Sequence, residues 1–242
     1  MADSPHLASR TWRDVPRSLL LVPLGSTEQH GPHLPVSTDT FIAAAVADDL
    51  AERWRADHRD AIVAPPLVFG ASGEHEGFAG TISLGTAALA VALLEIGRSA
   101  SEWAERIVFV NGHGGNLEAL RDAVPTLRSE RRDAAWLPCA LERGTDAHAG
   151  FDETSLMLHL WPAHVRLDLA EPGATAPIAE LLPRLRAEGV KGVAPNGVLG
   201  DPTGASAEHG ARLFAELCET AWSRLSAGTV AEGGCLTHGP AA

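Results

Sequence analysis

The stretch that most restricts the fold is Arg-Ile-Val-Phe-Val at residues 106–110, which runs without a break into Asn-Gly-His-Gly-Gly-Asn. A short apolar run of this kind reads as a buried strand. The glycines then let the backbone turn sharply, and Leu117, Leu120, Val124 and Leu127 recur at helical spacing, with Asn116 placed to cap the helix. The same order appears earlier in the chain. Leu19–Leu24 is apolar and closed by Gly25, and Phe41–Trp54 reads as a helix with Ile42, Val46 and Leu50 on one side and Thr38 or Asp39 as N-cap. Ala61–Val63 resembles a second strand, stopped by Pro65 and Pro66. Ala87–Ala104 reads as a helix through Leu89, Leu93 and Ile96, and Ala134–Pro138 as a further strand. Strand, loop and helix in repetition predict a parallel sheet covered by helices.

The last third is less regular. It suggests short helices near Thr154–Leu160 and Ile178–Ala187, a Gly-Asp-Pro-Thr-Gly turn at 200–204, and a final helix from about Ser206 to Leu225. No internal repeat or low-complexity linker divides the chain. The expectation is one domain over residues 1–242, with about 1–17 and 230–242 as mobile tails.

Composition narrows the function. Hydrophobic residues make up 45% of the 242, enough for a sizeable core. Nineteen Lys and Arg against 31 Asp and Glu give a formal charge of −12, which argues against nucleic-acid binding. The three cysteines, Cys139, Cys218 and Cys235, are scattered and form no Cys-x-x-Cys pair, so neither a disulfide framework nor a thiolate metal site is indicated. The N-terminal segment has no apolar core of a secretory signal, and no apolar run approaches a membrane span. These features predict a cytoplasmic protein.

Ligands of open α/β sheets bind beyond the carboxyl ends of the strands. Glu28 and His30 follow the first strand and His113 follows Arg106–Val110, so both segments belong to the same rim. Glu28 and His30 lie two apart and point the same way in an extended segment, although either is also acceptable as a solvated loop residue. Asp39 sits at a helix start, where it can cap the helix, bind a metal, or do both. His113, enclosed by glycines, contributes little to a core. His33, in Gly-Pro-His-Leu-Pro, reads as part of a rigid turn. A third cluster, residues 146–155, holds His148, Asp152 as a natural N-cap, and Glu153 where the helix dipole favours an anion. Histidines and carboxylates without a usable cysteine suit Zn²⁺, Mn²⁺ or Fe²⁺. The surplus of carboxylates suggests two ions about 3.5–4 Å apart that share one of them, and hence hydrolysis of an amide-like bond.

Four segments then carry a resemblance: GSTEQHGPHLPVSTDT at 25–40, FAGTISLG, NGHGGN and HAGFDETS. In this order they resemble the signature segments of the creatininase family, dinuclear metal amidohydrolases that are often hexameric. The resemblance implies a three-layer α/β/α fold with a mostly parallel central sheet and two divalent ions, Zn, Fe or Mn. It implies Glu28, His30, Asp39 and His113 as metal ligands, Asp39 as the bridge, and His148 as a proton shuttle beside the substrate. Creatinine amidohydrolase has a further glutamate ligand two residues after the histidine of the NGH segment, where this chain has Gly115. Glu153 is the expected replacement, and creatinine becomes a poor substrate expectation.

A narrower resemblance, to the mycofactocin-system members of the family, covers nearly the whole chain from Leu19 and includes ASGEHEGFAGTISLGT, PNGVLGDPTGA and a late GGCLT. It implies release of a C-terminal Val-Tyr dipeptide from a small modified precursor peptide. Separately, the Ser72–Phe78 loop reads either as a wall on the substrate side, through Ser72, Glu74 and His75, or as a simple mobile lid. Rival readings are a small-amide hydrolase of the same family, a non-catalytic metal-binding scaffold, and a plain α/β domain whose rim histidines bind nothing.

Overall fold

The computed structural model describes residues 4–141, 144 and 146–239. Strands β1 (Leu19–Leu24), β2 (Ala61–Val63), β3 (Arg106–Asn111) and β4 (Ala134–Pro138) form one parallel sheet in the order β2-β1-β3-β4. Alternation along each strand sorts its side chains into two cores. Leu19, Leu21, Val63, Val108, Val110 and Leu137 face one way, against helices α1 (Thr38–Ala56), α4 (Phe151–Leu160) and α6 (Ala207–Ala227). Leu20, Val22, Ile62, Ile107, Phe109 and Trp136 face the other, against α2 (Thr86–Ala100) and α3 (Leu117–Ser129). The result is the expected three-layer α/β/α fold. Leu21, Leu50, Phe109, Leu120 and Leu127 are fully buried, and each stabilises the fold by roughly 1.5–3 kcal/mol of apolar transfer. Helix α5 (Ile178–Val193) stands apart, packed through a small cluster of its own.

Several local expectations are corrected. Helix α1 begins at Thr38, with Ser37 in the cap position, so neither Thr38 nor Asp39 is the cap. Helix α4 begins at Phe151, and its first amide donates to the Asp146 carboxylate, so Asp152 is a first-turn residue and not the cap. Described residues of both expected tails contact the rest of the fold. Val63 N donates to Pro5 O at 2.8 Å. Strands β5 (Thr229–Val230) and β6 (Leu236–Thr237) form a hairpin, with Leu236 fully buried and Trp136 Nε1 donating to Gly233 O at 2.8 Å. A tryptophan on the sheet edge thus recruits a glycine-rich segment that looks unstructured in sequence. Residues 1–3 and 240–242 of the expected tails lie outside the described residues. Among the described residues no helix is long and apolar enough to cross a membrane.

Candidate metal centre

β1 and β3 end in register, with Leu24 opposite Asn111, so the two segments that follow leave the sheet side by side. From β1 the chain passes to β2 on one side, and β3 later fills the other, which makes this rim a topological switch point. Helix α1 starts directly above it. A Cβ on Gly112 would lie 2.4 Å from the Asp39 carbonyl oxygen, so only glycine lets the helix approach this closely. Asp39, in the first turn of α1, is thereby wedged between the two loops at 2% exposure.

The rim residues converge. Asp39 Oδ1 lies 3.1 Å from His30 Nε2 and its Oδ2 3.2 Å from His113 Nδ1. Glu28 Oε2 lies 3.1 Å from His113 Nε2, and Glu28 Oε1 lies 3.1 Å from His75 Nε2 and 3.9 Å from His148 Nδ1. Three overlapping triplets each present donor atoms within 4.8 Å of one another: Glu28, Asp39 and His113; His30, Asp39 and Glu153; and Glu28, His30 and His148. Asp39 belongs to the first two, the position a bridging carboxylate takes.

The surrounding hydrogen bonds orient these groups. Ser26 Oγ donates to Asp39 Oδ2 at 2.6 Å. His30 Nδ1 faces the Glu28 carbonyl at 3.1 Å, which leaves Nε2 free toward Asp39. His113 Nε2 faces Ala71 O at 3.2 Å, and His148 Nε2 faces Gln29 O at 2.9 Å. Backbone acceptors behind ring nitrogens fix the tautomer of a ligating imidazole.

Electrostatics also indicate a cation site. Burial, then the charge of Asp39, pushes Glu28 up to about 7, and burial pushes Glu153 up to about 7. Burial disfavours the charged form of His30, but Asp39 outweighs it and lifts the ring to about 10; in the same way Asp39 and Glu28 lift His113 to about 9. Burial acts against the Asp39 carboxylate too, yet His30 and His113 hold it well below the usual range. His75, lowered to about 3, and His148, also lowered, stay neutral because of burial and the neighbouring charge of His30. Both oxygens of Glu28 are buried without a hydrogen-bond partner among the described residues. A buried carboxylate in that condition is costly unless a cation sits against it. The donor set therefore fits divalent metal.

Other residues take roles the sequence did not suggest. The Asn116 side chain does not cap α3. It binds Ala71 N, Gly25 O and Asn111 Oδ1, pinning three rim loops together. Gly115 has no room for a side chain, since a Cβ there would lie 2.3 Å from Ala71 O and 2.4 Å from His113 Nε2. Of the three residues expected on the substrate side, Glu74 and His75 line the cavity, with Glu74 Oε1 3.5 Å from His113 Nε2. Ser72 is fully buried and is not part of the cavity wall. His33 Nε2 pairs with Thr154 Oγ1 at 2.9 Å, a tie between the rim and α4. Gln29 was missed, although it stands between Glu28 and His30; its amide nitrogen reaches His75 Nδ1 at 2.9 Å and Gly197 O at 3.0 Å. The cavity above these groups measures about 390 Å³.

Known proteins resemble this chain along most of its length. The family model described as creatininase, creatinine amidohydrolase, matches residues 7–225. The mycofactocin precursor peptide peptidase of Mycolicibacterium smegmatis is 57% identical over 220 residues, covering 90% of this chain and 89% of that protein. A mutant creatininase structure of the Zn-Zn type superposes with a TM-score of 0.71 at 26% identity, covering 90% of this chain and 95% of the other. A creatininase structure with Mn gives a TM-score of 0.71 at 27% identity with the same coverage. Match and identity extend over most of the chain: it belongs to the creatininase family.

Proposed function

We propose that the chain is a metal-dependent peptidase that releases the C-terminal Val-Tyr dipeptide from a modified mycofactocin precursor peptide. The observation that carries the hydrolytic part is the buried cluster in which Asp39 is shared by two ligand triplets, beside a Glu28 carboxylate without hydrogen-bond partners. The substrate follows from the 57% identical relative named for that peptide.

In this reading Glu28, Asp39 and His113 hold one divalent ion and His30, Asp39 and Glu153 hold the other, either Zn, Fe or Mn. The ions, when bound, supply Lewis acidity to the scissile carbonyl and lower the pKa of the attacking water. The remaining work falls to the chain. Ser26 keeps Asp39 turned between the two triplets. His148, neutral and steered by the Gln29 carbonyl, presents Nδ1 to the cluster, takes the water's proton there and passes it to the leaving amine. Glu74 and His75 border the substrate, and the apolar wall from α5 excludes water around it.

Assembly is proposed as a homo-oligomer, possibly a hexamer. Val68, Phe69, Ile82 and Leu84 are exposed on adjoining segments, stitched together by Thr27 Oγ1 to Val68 O at 2.7 Å and Leu84 N to Gly70 O at 2.9 Å, and an apolar patch of this kind suits a subunit interface. A cytoplasmic location is supported by three free cysteines.

The test is to incubate metal-loaded protein with the modified precursor peptide and follow masses. Loss of Val-Tyr that a chelator stops is the expected result. An intact peptide with metal bound would refute the peptidase reading and point to a small-amide substrate of the same site.

A further inference from the structure

Gln29 lies between Glu28 and His30 in sequence, and its side chain is held by groups of fixed polarity. Gly31 N can only donate, and it donates to Gln29 Oε1 at 2.8 Å. Gly197 O can only accept, and it takes a hydrogen from Gln29 Nε2 at 3.0 Å. These two contacts decide which end of the amide is which. Position 197 has to be glycine for this fit, because its φ is +82° and a Cβ there would collide with Gln29 Oε1.

The amide nitrogen has one hydrogen left. Two ring nitrogens are within reach, His75 Nδ1 at 2.9 Å and His148 Nε2 at 3.1 Å. His148 Nε2 also faces the Gln29 backbone carbonyl at 2.9 Å, which only accepts, so this nitrogen carries a hydrogen of its own. The last hydrogen of Gln29 therefore goes to His75 Nδ1. An imidazole that accepts at Nδ1 is neutral and carries its hydrogen on Nε2. The two histidines are left in one tautomer with opposite ends toward the site. Their rings lie 4.5 Å apart, centre to centre, and both border the metal cavity. His75 brings its Nε2–H, and His148 its bare Nδ1, to the same Glu28 oxygen, at 3.1 and 3.9 Å from Oε1. That oxygen accepts no hydrogen bond among the described residues, so the Nε2–H of His75 is not spent on it. The hydrogen is left to a molecule bound in the cavity.

We propose that His75 is a catalytic residue whose Nε2–H binds the scissile carbonyl oxygen as it becomes an oxyanion, and that Gln29 is the positioning residue that fixes its tautomer. This deepens the peptidase reading above and rests on it. The water oxygen bonds to the carbonyl carbon and the carbon–nitrogen bond breaks. The proton that the water gives to His148 Nδ1 leaves with the amine, and the new carboxyl group keeps the other until it ionises. His75 retains its hydrogen throughout and strengthens one hydrogen bond as charge gathers on the oxygen. One neutral imidazole serves as donor and its neighbour as base.

The experiment has a spectroscopic and a kinetic part. Nitrogen NMR of zinc-loaded protein with isotope-labelled histidine reads the tautomer of His75, assigned by its absence from H75Q. Wild type should carry the hydrogen on Nε2, and Q29L should show a mixture of both forms. A hydrogen on Nδ1 in wild type, or on Nε2 alone in Q29L, would overturn the proposal. With the modified precursor peptide, H75F should lose about 10²–10³-fold in kcat with little change in KM, since the bond forms only in the transition state. H75Q, which keeps an amide donor, should recover part of that loss, both variants holding wild-type metal content. Equal losses in the two variants, a loss carried by KM, or depletion of metal in both would overturn the role of His75. Cleavage by wild type with H75F undiminished would refute this proposal alone. An intact peptide with wild type would overturn the peptidase reading, and this proposal with it.

Discussion

Replacing Gly115 by alanine tests the geometry of the site with one methyl group. The added Cβ would lie 2.4 Å from His113 Nε2 and 2.3 Å from Ala71 O, where ordinary contact begins at 3.4 Å. It would intrude on the 3.2 Å contact between those two atoms that orients the ring. The imidazole must retreat by about 1 Å, a displacement that can lower turnover about 100-fold. Loss of the orienting acceptor alone weakens metal binding about 10–100-fold. Overpacking adds about 1–3 kcal/mol of destabilisation, or about 2–12 °C of melting temperature for a domain of this size. The neighbouring Gly114 is the control, because a Cβ there meets nothing within 4 Å and its φ is not positive. Metal content by elemental analysis and melting curves should separate the two variants: G115A depleted and less stable, G114A with full metal and an unchanged melt. Equal metal content in both variants would refute the reasoning. So would loss of metal from G114A alone.

H113A removes a donor of the first triplet and should bind at least one ion fewer and lose hydrolysis; full activity at unchanged metal content would dismiss the ligand assignment. E153Q should lower the content of the ion held with His30 and Asp39 while leaving the other, and retention of both ions would exclude Glu153 as the replacement carboxylate. H148A should keep its metal yet lose about 100-fold or more in kcat, checked by single-turnover rates, because a general acid–base residue contributes about 10²–10⁴-fold. Metal-stripped protein should lose stability as pH rises from 7 to 10. His30 and His113, raised to about 10 and about 9 from 6.5, contribute stability that is complete below 6.5 and vanishes as pH passes their folded values. Melts with a chelator at both pH values check the sign, and greater stability at pH 10 would contradict it.

The sequence by itself determined the architecture and the identity of the reactive groups. Apolar runs such as Leu19–Leu24 and Arg106–Asn111 are strands because they are buried on both faces, and that continuity is a property of adjacent residues. The glycines around His113 announce a close approach in the same local way. The four recurring segments were enough to name the family. What pairs with what was decided only by the tertiary structure, since it depends on strand order and register. Leu24 opposite Asn111 is what brings Glu28 to His113, and the start of α1 over Gly112 is what sets Asp39 between His30 and His113. The misread caps have the same origin. Asp39 and Asn116 carry cap-forming side chains, but tertiary partners outbid the helix termini for them. The position of α5 had no local signature at all: it depends on the docking of Leu181 and Val190 beside Phe78 and of Lys191 on Gly77, in a loop more than a hundred residues earlier.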